Sequence, residues 1–195
     1  MNAPEFKITL RNFESKVMYF NGMYKLPVAP YPQIESIVQH ERKKNPDLEL
    51  TGKAAIEKRL LDFRKTLADE LNEVDDIIGW MKAGVKKNKD TGTLEEYTVV
   101  DLLVDIADWL TDIPVYCASE MVKYGLPVSQ SQDIVMASNF SKLGADGNPI
   151  YNDEGKVLKG PGYWKPEPQL KAMIAEIIQE NTEEISANKG IVWRD

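Results

Sequence analysis

The 195-residue chain has one cysteine, Cys117, and one histidine, His40. A lone cysteine cannot close a disulfide within the chain, so a disulfide framework is excluded and a reduced, cytoplasmic setting is the expectation. A lone histidine excludes the ferritin-like di-iron arrangement, which needs a Glu-x-x-His element on each of two helices; here Ile37 stands three residues before His40. Glu41, Arg42, Lys43 and Lys44 follow His40, which is expected to be exposed, whereas Cys117 lies among apolar residues as core material does. Neither is set in a local pattern for nucleophilic catalysis. Uninterrupted apolar stretches are also missing. Glu5, Lys7, Arg11, Glu14 and Lys16 are spread through the first twenty residues, where no export signal is visible. The most apolar segment, 99–118, carries four aspartates, which a membrane span would not bury. Positive charge is in deficit, 24 basic against 31 acidic residues for a net −7, which disfavours a nucleic acid or an anionic membrane as partner. An anionic substrate would need a cation as intermediary. With 43% hydrophobic and 28% charged residues the composition is that of a folded globular chain, and the length fits a single domain over 1–195.

What is present is helical periodicity. Leu60, Leu67, Leu71, Val74, Ile78 and Met81 recur at helical steps, which predicts a helix over 51–82 with these residues as its buried stripe. Leu103, Leu110, Cys117 and Met121 mark a face of a second helix over 96–124, kinked at Pro114 and stopped by Gly125 and Pro127. Further helices are expected over 4–23, 129–143 and 168–188, the last ending near Gly190. The prolines of 26–32 impose an extended segment. Residues 149–152 and 156–158 flank Asp153-Glu154-Gly155 and read as a small hairpin, the one sheet expected, with glycine in the left-handed position. The lysine-rich, glycine-containing stretch 83–93 reads as a mobile loop. The expected architecture is an all-α helical bundle with a hairpin excursion near 149–158.

Glu70 and Glu73 stand three apart on the first long helix, about 60° apart around its axis, each one residue before an apolar position. Asp101, Asp105, Asp108 and Asp112 follow steps of four, three and four and form one row on the second. Apolar residues flank that row on both sides, and no Lys, Arg or Glu occurs between Val99 and Ala118, which argues for an enclosed face. Like charges at such spacing repel by about 0.2–0.5 kcal/mol per pair even in water, and more once desolvated. Lysines are scarce in the local sequence, so divalent cations with oxygen ligands, Mg2+ first and Mn2+ second, are the expected neutralisers; zinc would recruit histidine or cysteine.

With these elements the chain resembles the all-helical nucleoside triphosphate pyrophosphohydrolases of the MazG and phosphoribosyl-ATP pyrophosphohydrolase type, in particular a subgroup described as Cof-like or phosphoribosyl-ATP pyrophosphohydrolase-like. Asp69-Glu70-Leu71-Asn72-Glu73 matches the family's E-E-x-x-E element with aspartate leading, and Asp105-Ile106-Ala107-Asp108 its E-x-x-D element with aspartate for glutamate. Leu26-Pro27-Val28, Ser138-Asn139-Phe140-Ser141-Lys142-Leu143, Gly147-Asn148-Pro149-Ile150-Tyr151 and Gly155-Lys156-Val157-Leu158-Lys159-Gly160-Pro161 resemble the subgroup as well. The interval from Glu73 to Asp105 is longer than the family's, the lysine-rich stretch making up the excess. Counting back from Gly125 instead selects Asp108 and Asp112 as the second pair, so either Asp105 or Asp112 completes the set with Asp108.

The resemblance implies hydrolysis between the α and β phosphates of a nucleoside triphosphate, giving monophosphate and pyrophosphate. It implies metal ligation by Glu70, Glu73, Asp108 and Asp105 or Asp112, with Glu70 or Glu73 as general base. Lys142, Lys156, Lys159 and Lys165 are candidates for the phosphate chain and Asn139 for a polar contact. Tyr163 and Trp164 either stack on a base or cover the bundle, and Phe20, Tyr24 and Tyr31 offer another base pocket. A homodimer or homotetramer is expected by resemblance. The competing expectations are phosphoribosyl-ATP as substrate, or a non-catalytic helical module whose aspartates hold a regulatory or structural cation.

Overall fold

The computed structural model describes residues 12–181. Their elements run α1 Phe13–Met23, α2 Glu35–Lys44, α3 Gly52–Ala83, β1 Val85–Lys87, β2 Leu94–Glu96, α4 Val99–Lys123, α5 Val128–Phe140 and α6 Glu167–Glu180. The expectation of an all-α chain with a small hairpin holds. Side chains that cap set the helix starts. Asn12 accepts from the Ser15 amide at 2.8 Å and opens α1, and Thr51 accepts from the Ala54 amide at 3.2 Å and opens α3. Thr98 and Asp101 cap α4 reciprocally: the Asp101 carboxylate accepts from the Thr98 amide at 2.9 Å, and the Thr98 hydroxyl accepts from the Asp101 amide at 3.2 Å. Asp101 therefore serves the helix end. α4 passes through Pro114 without ending, and α5 stops three residues before the expected Leu143. The expected helical residues before 12 and beyond 181 lie outside the described residues. α2 has no counterpart in the sequence reading: half of its residues are charged, and the Ile37, Val38 and Glu41 that it buries are too few to show a period. No helix among the described residues is long and apolar enough to cross a membrane.

The two-stranded sheet lies where a mobile loop was expected. β1 and β2 pair antiparallel, Val85 with Glu96, Lys86 with Glu95 and Lys87 with Leu94. Gly84 takes a left-handed conformation, φ 69°, from which its amide donates to the Trp80 carbonyl and ends α3. Asn88 closes the turn, its side chain accepting from the Asp90 and Thr91 amides at 2.9 and 3.1 Å while its amide donates to the Thr93 carbonyl. Gly84 and Gly92, taken for mobility, are turn chemistry together with Asn88. The hairpin expected at 149–158 is present in reduced form, one bridge between Tyr151 and Val157 closed over a left-handed Gly155.

Residues 37–120 form one compact unit. Within it, Arg59 of α3 grips Glu120 of α4 through two guanidinium hydrogen bonds, the Trp109 indole donates to the Glu70 carbonyl at 2.9 Å, and the Tyr97 amide donates to the Gly84 carbonyl at 2.9 Å. Ascending positions on one helix meet descending positions on the other, so α3 and α4 run antiparallel. Ala55, Glu70 and Ile77 are the buried residues of α3. The periodic stripe expected to be core is not: Leu60, Leu71, Ile78 and Met81 are exposed, Leu71 at 51% and Leu103 of α4 at 60%. His40, expected outside, is half-buried.

The other unit holds residues 12–36 and 121–181 of those described. Val17, Ala29, Tyr31, Val122 and Val128 are its buried apolar residues. The extended segment joins it through hydrogen bonds from the Ala29 and Gln33 amides to the Val122 and Tyr124 carbonyls, at 3.0 and 2.9 Å.

Candidate active site

Glu70 points inward from α3 and is 5% exposed. One of its oxygens, Oε1, has no hydrogen-bond partner. Burial raises its pKa above the ordinary glutamate value, and the charges of Glu73, Asp112 and Asp108 raise it further, against the hydroxyl hydrogen bond from Tyr116. Burial first, and then the charges of Glu70, Asp112 and Glu73, push the Tyr116 hydroxyl up. Glu73 on the same helix and Asp108 and Asp112 on α4 thus all act on Glu70.

Beside them opens a cavity of about 290 Å³, lined among others by Glu73, Asp76, Trp80, Lys86, Asp105 and Asp108. Asp105 is already engaged. Lys86 of β1 donates to both its oxygens at 2.8 and 2.7 Å, and the Tyr97 hydroxyl donates at 2.6 Å. Burial alone would raise the Asp105 pKa, but these bonds outweigh it and hold the carboxyl below its usual value. Tyr97 is pushed up to about 12, first by burial and then by its bond to Asp105. The Lys86 ammonium also lies 4.0 Å from the centroid of the Trp80 ring. This lysine amends the sequence reading, which found lysines scarce in the local sequence: Lys86 is nineteen residues from Asp105 in the chain, and the β1–β2 hairpin delivers it.

Among the described residues, no group of three or more His, Cys, Asp or Glu side chains is close enough to enclose a metal ion. Glu70, Glu73, Asp108 and Asp112 are nonetheless all carboxylates, the donor type that a hard divalent cation takes, and Glu70 keeps a buried oxygen without a donor.

Asn139, Lys142, Lys159 and Tyr163 belong to the unit that contains 121–181, and there they meet in two pairs. The Lys142 ammonium donates to the Asn139 side chain at 2.6 Å, and Lys159 lies 4.5 Å from the Tyr163 ring centroid. The stretches 138–142 and 160–164 are tied together. The Gly160 amide donates to the Lys142 carbonyl at 2.9 Å, the Ser138 hydroxyl to the Trp164 carbonyl at 2.8 Å, and the Trp164 amide to the Ser141 hydroxyl at 3.2 Å. Phe20 and Tyr24 are exposed and in ring contact at 4.6 Å, whereas Tyr31 is buried and unavailable to a base. Sequence reasoning missed Lys86, Trp80 and Tyr97. The Trp80–Gly84–Lys86 run before a turn was the visible signal.

No family model matches the chain. No curated protein matches it either. Among solved structures it is similar to a protein from Exiguobacterium sp. 255-15 that is proposed to be an NTP pyrophosphohydrolase, with 26% identity over 87% of this chain and 98% of that one and a TM-score of 0.43. A TM-score below 0.5 does not establish a shared arrangement of helices.

Proposed function

We propose that the chain is a metal-dependent nucleoside triphosphate pyrophosphohydrolase, cleaving its substrate between the α and β phosphates to a nucleoside monophosphate and pyrophosphate. The observation that carries the reading is Glu70, a buried carboxylate with an unpartnered oxygen, surrounded by the charges of Glu73, Asp108 and Asp112. A structure that keeps four mutually repelling carboxylates on one seam bears a cost that a bound cation removes. Glu70, Glu73, Asp108 and Asp112 would hold Mg2+ or Mn2+. The metal, when bound, supplies neutralisation of the polyphosphate and a more acidic water. Glu70 or Glu73 would take the proton from the attacking water as general base. As the oxygen of water bonds to the α phosphorus, the bond from that phosphorus to the bridging oxygen breaks and pyrophosphate leaves. Asn139, Lys142, Lys159 and Tyr163 are proposed to receive substrate.

The test is a product screen. The chain is incubated with each common NTP and dNTP and with phosphoribosyl-ATP in Mg2+, and the products are resolved by phosphorus NMR. Equal amounts of monophosphate and pyrophosphate are expected from at least one substrate. Release of orthophosphate alone, or no release with either Mg2+ or Mn2+, would refute the reading.

A further inference from the structure

Asp105 and the Glu70 seam are unlike in one chemical respect. Asp105 receives three hydrogen bonds of 2.8 Å or less, two of them from an ammonium, whereas Glu70 retains an oxygen with none. The ammonium is held independently of Asp105. Its backbone is paired to β2 at Glu95, and its charge rests on the Trp80 ring face at 4.0 Å. Recruiting Asp105 to a divalent ion would break two charge-assisted hydrogen bonds and set a second positive charge beside Lys86.

We propose that Lys86 is a resident cation of the carboxylate cavity, which holds Asp105 as its own counterion and so keeps it out of the metal set, leaving Glu70, Glu73, Asp108 and Asp112 for the divalent ion. This rests on the metal-dependent reading above and decides, within it, between Asp105 and Asp112. Lys86 is a positioning residue and Asp105 its anchor. The lysine hairpin takes up part of the negative charge permanently, so fewer divalent ions are needed to neutralise the cavity.

Mn2+ binding to the full chain, followed by calorimetry and by the electron paramagnetic resonance signal of free Mn2+, reads this without turnover. Lys86→Met alone releases Asp105 and is expected to bind Mn2+ about tenfold more tightly or to take up an additional ion, with Lys86→Arg remaining near the wild type. The charge-neutral double variant Lys86→Met/Asp105→Asn is expected to match the wild type in stoichiometry and to within about threefold in affinity. Loss of a bound ion, or binding more than about tenfold weaker, in that double variant would make Asp105 a ligand and overturn the proposal. Thermal melts of each variant confirm that it is folded. If the wild type binds no Mn2+ and Glu70→Gln changes nothing, the metal reading itself fails and takes this proposal with it; the double variant failing alone sinks only the role given to Lys86.

Discussion

At the scale of single residues, Glu70 is in tension with its surroundings. A carboxylate whose pKa is raised by folding contributes stability that is present below the ordinary glutamate value and lost as the pH rises through the folded value. Metal-free protein is therefore held back at neutral pH by this group. Glu70→Gln removes the charge at little change in shape, so its melting temperature in EDTA should equal or exceed the wild type at pH 7. The advantage should shrink as the pH falls through the window just above the ordinary glutamate value. Turnover of the same variant should drop by about 10²–10⁴-fold, the usual loss with a general base. A variant that melts lower at neutral pH and still turns over would show a structural glutamate. Asp105 behaves oppositely: its depressed pKa contributes stability that is present above the ordinary aspartate value and lost as the pH falls through the folded one.

Among the elements, close approach of backbone decides where sequence motifs end up. A β carbon on Gly160 would stand 1.8 Å from the Leu143 carbonyl oxygen, so the 138–144 and 160–164 stretches can meet only if residue 160 is glycine. Gly160→Ala should cost more than about 1–3 kcal/mol by forcing that contact apart, read as a lowered denaturation midpoint. Gly79→Ala, inside α3 with nothing near its β carbon, should stabilise by up to about 1 kcal/mol. Equal effects would show that the 143–160 contact is not formed. The long helices α3 and α4 were legible because their spacing repeats over many turns, and the common side of Glu70 and Glu73 on α3 because residues three apart on a helix must share one. The β1–β2 hairpin was not legible, since Gly84, Asn88 and Gly92 serve a mobile loop and a tight turn equally well. Its consequence for the site, Lys86 against Asp105, depends on a pairing register that local sequence does not set. Asp101 was misjudged for a related reason: it shares the row's spacing, but Thr98 draws it to the helix end.

For the whole molecule, the informative disagreement is between period and burial. Leu60, Leu71, Ile78 and Met81 repeat as a core stripe should, yet they are exposed in the single chain, with Leu103 and Leu110 of α4 exposed as well. We propose that a second copy of the chain covers them, in keeping with the expected homodimer or homotetramer. Fully burying one such leucine gains about 1.5–3 kcal/mol, so a few suffice to hold copies together. Sedimentation should give a dimer or tetramer at micromolar concentration, and Leu71→Lys/Leu103→Lys should shift it to monomer; a wild-type monomer would contradict this. Asp108 is the aspartate common to both candidate pairs on α4, Asp105 with Asp108 and Asp108 with Asp112. The most direct test of the proposed hydrolysis is pyrophosphate release with Mg2+ by wild type and Asp108→Asn, each checked for folding. Release by the wild type that EDTA abolishes and Asp108→Asn lacks is the predicted result. Undiminished release by Asp108→Asn, or none by the wild type on any nucleotide, would contradict it.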